Sequence, residues 1–216
     1  MSWVKDAFTT SVGKKLLMAV TGLGFLGFLA GHLAGNLTIY WGADAFVAYA
    51  EHLHSLEPLV KAAEAGLIVF LVVHAGTGLW LFAQNRAARG GRYARNKWAG
   101  GRTVFSATMP YTGVLILVFV AIHLATFKFA PEGENVWEVA AYVFSQPLCF
   151  WFYTLSMPVV ALHVGHGLWS AVQTLGGNHP KYMPAVRVVS LAAAAVVILG
   201  FGLLPTAVSF LAEPIP

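Results

Sequence analysis

Five long apolar runs constrain this chain more than any other feature. They cover roughly Leu16 to Tyr40, Ala62 to Gln84, Phe105 to Phe127, Leu148 to Thr174 and Val186 to Leu211. Each is about the 20 residues that a helix needs to cross the hydrocarbon core of a bilayer. Helices are the required form, because an open chain in lipid leaves its backbone polar groups unpaired. Composition agrees: 58% of the 216 residues are hydrophobic and 10% are charged, where a soluble domain carries about 25%. The expected fold is an all-α integral membrane protein, a single domain over residues 1–216 with five transmembrane helices. Lys14 and Lys15 before the first run read like the start of a signal peptide. That run is too long for one, and it carries a histidine that recurs later. One cysteine, Cys149, excludes an internal disulfide and a thiolate cluster. No stretch is left for a separate soluble catalytic domain, so chemistry that needs a large active site belongs to partners.

Charge sets the expected orientation. Lys5, Lys14 and Lys15 precede the first span, and Arg86, Arg89, Arg92, Arg95, Lys97 and Arg102 lie between the second and third. Lys181 and Arg187 lie between the fourth and fifth. These are eleven of the thirteen Lys and Arg, against Lys61 and Lys128 on the other side, while Asp6 is the one acidic residue among the basic segments. By the positive-inside rule the N-terminus is expected in the cytoplasm and the C-terminus outside. The same rule accounts for the run from Arg86 to Arg102 without nucleic acid, and it leaves that run free to dock a cytoplasmic partner.

The chain also repeats itself. VVHAGTGLW around His74 is echoed by ALHVGHGLW around His163, 89 residues later, and H-L-A at His32 recurs at His123, 91 residues later. Each of the first four spans therefore carries one echoed histidine. Spans one and three run outward, and His32 and His123 fall some 16 residues after their starts, roughly 24 Å up from the inner edge. Spans two and four run inward, and His74 and His163 fall past their midpoints. Two facing pairs, one above the other, suit two stacked bis-histidine sites.

A single histidine in an apolar helix is most simply hydrogen-bonded to a neighbour. Four are costly, and ionisable groups within a membrane normally have a named partner. Zinc would want four ligands within about 2.1 Å of one point, and these are split between two depths. Haem takes two imidazoles on opposite faces and needs small residues beside them. Gly76, Gly78, Gly165, Gly167 and the stripe Gly27, Gly31, Gly35 offer that room, although helix packing explains the stripe as well. Two b-type haems are the expected cofactors, with His32, His74, His123 and His163 as iron ligands. His166 competes with His163, but it stands in the place of Thr77, so only His163 matches His74. A propionate contact or plain packing is left for His166. His52 and His54, in an acidic stretch with Glu51 and Glu57, read as solvated, and Glu51 and His54 are also candidates for proton transfer at an outer quinone site. His179 beside Pro180 reads as loop.

With these residues in place the chain resembles a known family. G-H-L-A-G-N at His32, V-V-H-A-G-T-G-L-W at His74, V-A-I-H-L at His123 and H-x-x-x-G-L-W at His163 are similar to the cytochrome b membrane anchor of succinate dehydrogenases and fumarate reductases. The nearest class is the single-polypeptide, five-helix, dihaem one, and the resemblance runs over nearly the whole chain. It implies His32 with His123 at the outer haem and His74 with His163 at the inner haem. It also implies a flavoprotein with covalent FAD and an iron–sulfur subunit on the basic inner face, and a quinone, often menaquinone, near the outer haem. The setting would be a bacterial cytoplasmic membrane, where the complex could assemble further. One departure stands out. Some dihaem fumarate reductases carry a glutamate two residues before the fourth ligand; here that place is Ala161, which argues against a proton path of that kind. The alternatives are the anchor cytochrome of another dihaem oxidoreductase, such as a formate dehydrogenase or nitrate reductase, and a haem-free histidine-based ion or metal transporter. The first class places several ligands on fewer helices, and the second is disfavoured by the poverty of intramembrane carboxylates.

Overall fold

The structure is a computed structural model that describes residue 5 and residues 9–88, 104–130 and 135–212. The basic stretch between Arg89 and Arg102 lies outside the described residues, as does Asp6. Helices make up nearly all of the rest, and there is no strand among the described residues. Helix α1 (Ser11–Asn36) starts where Thr10 accepts a hydrogen bond from the Gly13 amide at 3.0 Å, which satisfies one of the orphan donors of a helix start. It runs into a 3-10 turn, Leu37–Trp41, and stops at Gly42, whose φ of 105° suits a residue without a Cβ. Helix α2 (Ala43–Ser55) and helix α3 (Glu57–Ala88) follow. Helix α4 (Val104–His123) ends in a π-helical turn, Leu124–Lys128. Helix α5 (Val136–Ser145) opens with a reciprocal cap between Asn135 and Glu138. Helices α6 (Pro147–Thr174), α7 (Met183–Gly202) and α8 (Leu204–Leu211) complete the chain.

Five segments are long and apolar enough to cross a membrane: Ser11–Trp41, Glu57–Ala88, Phe105–Lys128, Pro147–Thr174 and Met183–Leu211. The protein is thus an all-α, multi-pass membrane protein. Two features were not foreseen from sequence. The fifth span breaks at Leu203, just ahead of Pro205, because proline cannot donate to the helix before it. The short helices α2 and α5 also fill what read as connecting stretches.

The first four spans form a ring. Helix α1 packs against both α3 and α6, and α4 packs against α6, while α3 and α4 touch only lightly. This sets α1 across from α4 and α3 across from α6. Helix α7 lies outside the ring along α6, its closest partner. Gly165 permits that approach, since a Cβ there would meet Ala194 Cβ at 3.1 Å and the Ser190 carbonyl oxygen at 3.2 Å. Small residues are the usual means of bringing membrane helices this close.

Packing is uneven along the ring. The main buried cluster, with Ile39, Phe46, Val143, Phe144, Leu204 and Val208 among its members, lies at one end, where α2, α5 and α8 roof the bundle. Along the shafts the interior is thinly filled: among the described residues α3 has no buried residue and α4 only Thr112. His74 and His163 stand in this thinly filled part, while His123 adjoins the packed end through Phe127 and Tyr153.

Candidate functional site

The histidine rings meet in two pairs, each across a diagonal of the ring. His74 of α3 faces His163 of α6 with ring centres 6.3 Å apart and planes at 64°. His32 of α1 faces His123 of α4 at 5.9 Å and 80°. On α1 and α4, His32 and His123 each stand eleven residues beyond the threonine that contacts the other pair, about 16 Å farther along the axis. The two pairs therefore occupy two levels.

Helix geometry explains the surroundings of the first pair. His74 Nδ1 lies 3.1 Å from Thr21 Oγ1 and 3.2 Å from the Met18 carbonyl oxygen, both on α1. A carbonyl oxygen can only accept, so Nδ1 of His74 carries the proton. Thr21 in turn donates to the Leu17 carbonyl at 2.7 Å, which leaves its oxygen free to accept. One residue on, Gly22 leaves room for the ring: a Cβ there would sit 3.1 Å from His74 Cε1. The other half of the chain repeats the arrangement. His163 Nδ1 lies 3.0 Å from Thr112 Oγ1 on α4, and a Cβ on Gly113 would sit 3.5 Å from His163 Cε1. Thr21 and Thr112 are buried. Neither was singled out from sequence, yet the signal is there: Met18-x-x-Thr21-Gly22 recurs 91 residues later as Met109-x-x-Thr112-Gly113, in register with the H-L-A echo.

Phe25 stands edge-on to His74 at 5.9 Å, whereas several aromatic rings surround the second pair. His32 stacks on Phe28 at 5.3 Å and on Phe201 of α7 at 5.8 Å. His123 stacks on Phe119 at 5.7 Å and lies 5.3 Å from Phe127 and 6.0 Å from Tyr153. Its Nδ1 is buried with no hydrogen-bond partner. An orphaned buried polar atom costs about 1–3 kcal/mol, which makes it a natural point for a further ligand contact. The π-helical turn begins directly after His123, and such turns gather at functional sites.

The remaining candidates fall elsewhere. His166 rests against Trp169, ring centres 5.7 Å apart, and is half-buried. Lys14, a topology marker in the sequence, is buried; its Nζ donates to Gln84 at 2.9 Å and lies 4.2 Å from the ring centre of Trp80. The tryptophans that close the two H-x-G-x-G-L-W echoes thus have different neighbours. Glu51, His52 and His54 are exposed on α2, and no hydrogen bond or ring contact ties them to His32 or His123. His179 sits in the turn before α7 and accepts from the Lys181 amide at 3.2 Å. Ala161 is fully buried in α6. The glycines divide by role: Gly165 and Gly35 meet close neighbours, whereas a Cβ on Gly27, Gly31, Gly76 or Gly167 would find nothing within 4 Å.

The ring separations suit a metal held between two imidazoles. Taking the zinc–imidazole bond of about 2.0–2.1 Å as a guide, a metal gripped by two opposed imidazoles holds their ring centres roughly 6 Å apart. Both pairs have that separation. The protonated Nδ1 of His74 would leave Nε2 free to bind a metal, and one turn from His163 a Cβ on Gly167 would find nothing within 4 Å. Comparison with protein families, with curated proteins and with solved structures finds no match to this chain.

Proposed function

We propose that this chain is the membrane-anchor cytochrome b subunit of a succinate:quinone oxidoreductase, a succinate dehydrogenase or fumarate reductase, in a bacterial cytoplasmic membrane. His74 and His163 would hold one b haem, and His32 and His123 the other. One observation carries the reading: four histidines from four spans meet as two ring pairs at two levels, with centres 6.3 and 5.9 Å apart. When bound, the haems would supply one-electron transfer between an iron–sulfur subunit and membrane quinone.

The chain's own work is to position and insulate. Thr21 and the Met18 carbonyl orient the His74 ring, and Thr112 orients that of His163. Phe28, Phe119 and Phe201 clamp the other pair and keep water from it. In the proposed orientation the N-terminus is cytoplasmic, so the His74–His163 level is the inner one. The basic stretch from Arg86 to Arg102 then faces the flavoprotein and the iron–sulfur subunit, which carry FAD, the clusters and the succinate chemistry. Quinone, menaquinone in the nearest class, is assigned to the His32–His123 level.

The test is purification of the tagged chain from native membranes in mild detergent. The expected result is co-purification of a flavoprotein and an iron–sulfur protein, b-type bands on reduction, and succinate-dependent reduction of a quinone analogue. A chain that purifies without partners and without b-type bands would point to the transporter reading. Orientation has its own check: cysteines placed between Arg89 and Arg102 should resist an impermeant thiol reagent in intact cells, and labelling from outside would reverse the two levels.

A further inference from the structure

We propose that Thr21 and Thr112 are positioning residues for the His74–His163 pair, each accepting a hydrogen bond from Nδ1–H of one histidine so that both present an unprotonated Nε2 to a shared metal. The proposal rests on reading the two histidines as haem ligands, and it adds how the chain prepares them. A neutral imidazole has two tautomers, and its second nitrogen is chosen by the hydrogen bond that the first one makes. For His74 the choice follows from its two neighbours. The Met18 carbonyl at 3.2 Å can only accept, and the Thr21 hydroxyl at 3.1 Å has its proton committed to the Leu17 carbonyl at 2.7 Å.

The same logic holds across the diagonal. Thr112 lies within donating reach of the Met109 carbonyl at 3.1 Å and the Thr108 carbonyl at 3.3 Å, and it meets His163 Nδ1 at 3.0 Å. With the hydroxyl proton turned toward its own helix, the threonine oxygen accepts from Nδ1–H. Burial of both threonines keeps water from competing for that proton. Beside each threonine a glycine faces the ring, closely at Gly22 and at ordinary contact distance at Gly113, so the hydroxyl that accepts from Nδ1–H sits next to the backbone against which the ring rests. Among the described residues the His32–His123 pair has no such device; its His123 Nδ1 has no hydrogen-bond partner.

Accepting a hydrogen bond from the back nitrogen raises the basicity of the ligating one. That favours the oxidised iron, so the threonines should hold down the potential of one haem and leave the other alone. The variants are Thr21→Val and Thr112→Val, which keep shape and remove the acceptor, with Thr21→Ser and Thr112→Ser to restore it. In the purified complex Thr112→Val should raise the midpoint potential of one haem and weaken its retention about 10–100-fold. Thr21→Val should shift the same haem in the same direction by less, because the Met18 carbonyl still accepts from His74. Each Ser variant should return both potential and retention toward wild type. Nitrogen NMR on histidine-labelled, haem-free chain should show Nδ1–H at His74 and His163 in the wild type and mixed tautomers at His163 in Thr112→Val, while in Thr21→Val the Met18 carbonyl keeps His74 as Nδ1–H. Unchanged potentials with unchanged tautomers, a shift confined to the other haem, or equal effects of Val and Ser would overturn the proposal. If the wild type binds no haem, the reading of function fails, and the NMR experiment still decides whether the threonines fix the tautomers.

Discussion

The two histidine levels are built from the same kind of residue in different surroundings. At one level the rings are oriented by hydrogen bonds, from His74 to Thr21 and Met18 and between His163 and Thr112, with Phe25 edge-on to His74 at 5.9 Å. At the other they are held by ring packing on Phe28, Phe119, Phe127 and Phe201, with His123 Nδ1 left bare. The first lies in the open shaft of the bundle, and the second lies under the packed roof of α2, α5 and α8. A hydrogen bond fixes which nitrogen points where, whereas apolar packing fixes position without choosing a tautomer. The difference shows that one scaffold can place two similar histidine pairs in different surroundings.

The largest effect should come from the roof. Phe144 is buried in it and touches Phe127 and Tyr153, ring centres 6.1 and 5.4 Å away, which both flank His123. Phe144→Ala should cost about 3–5 kcal/mol, read as a lower unfolding temperature in detergent. It should loosen the His32–His123 level before the other. Selective loss at the His74–His163 level would break the contrast.

Smaller and of opposite signs are two glycine changes that sharpen the likeness between the halves. Gly22→Ala puts a Cβ 3.1 Å from His74 Cε1, on a ring that two hydrogen bonds pin in place. Overpacking of that sort costs about 1–3 kcal/mol. Gly113→Ala meets His163 at 3.5 Å, an ordinary contact, and should be neutral or stabilise by about 0.5–1 kcal/mol through the helix preference of alanine. Thermal unfolding of the two variants side by side decides this, and equal effects would mean that the two seats are alike.

The smallest effect concerns the gap between α3 and α4. The two touch lightly, and Lys128 pairs with Glu64 across it while both remain well exposed. Lys128→Ala should cost no more than about 1 kcal/mol, and less as salt is raised. A larger or salt-independent loss would mean that this pair, more than the roof, closes that end.

Much of the architecture was legible because lipid leaves a chain few choices. Runs such as Leu16 to Tyr40 and Leu148 to Thr174 had to be spanning helices, and the structure extends them only by a few residues at their ends. Helices α2 and α5 were missed because they are too short to span and lie where loops were expected, although Asn135 followed by Glu138 three residues on is a helix-start signal. The histidines stood out as ionisable groups in apolar runs, but how their rings turn depends on which helices face one another. Thr21 and Thr112 went unnoticed because a threonine that bonds its own helix carbonyl is ordinary in a membrane segment. The carbonyl bond hides the second one, to a histidine on the neighbouring helix. Lys14 was read by its position outside the core, and its burial against Trp80 and Gln84 follows from a lysine reaching along the surface of the next helix.

The central claim, one haem for each pair, is tested most directly by haem stoichiometry. Pyridine haemochrome quantitation per polypeptide should give two b haems for the wild type. It should give one for His163→Ala and one for His123→Ala, the two variants losing different haems as told apart by midpoint potential, and two for His166→Ala. Two haems retained in His163→Ala, or the same loss in His166→Ala, would contradict the pairing, and a wild type without haem would contradict the function built on it.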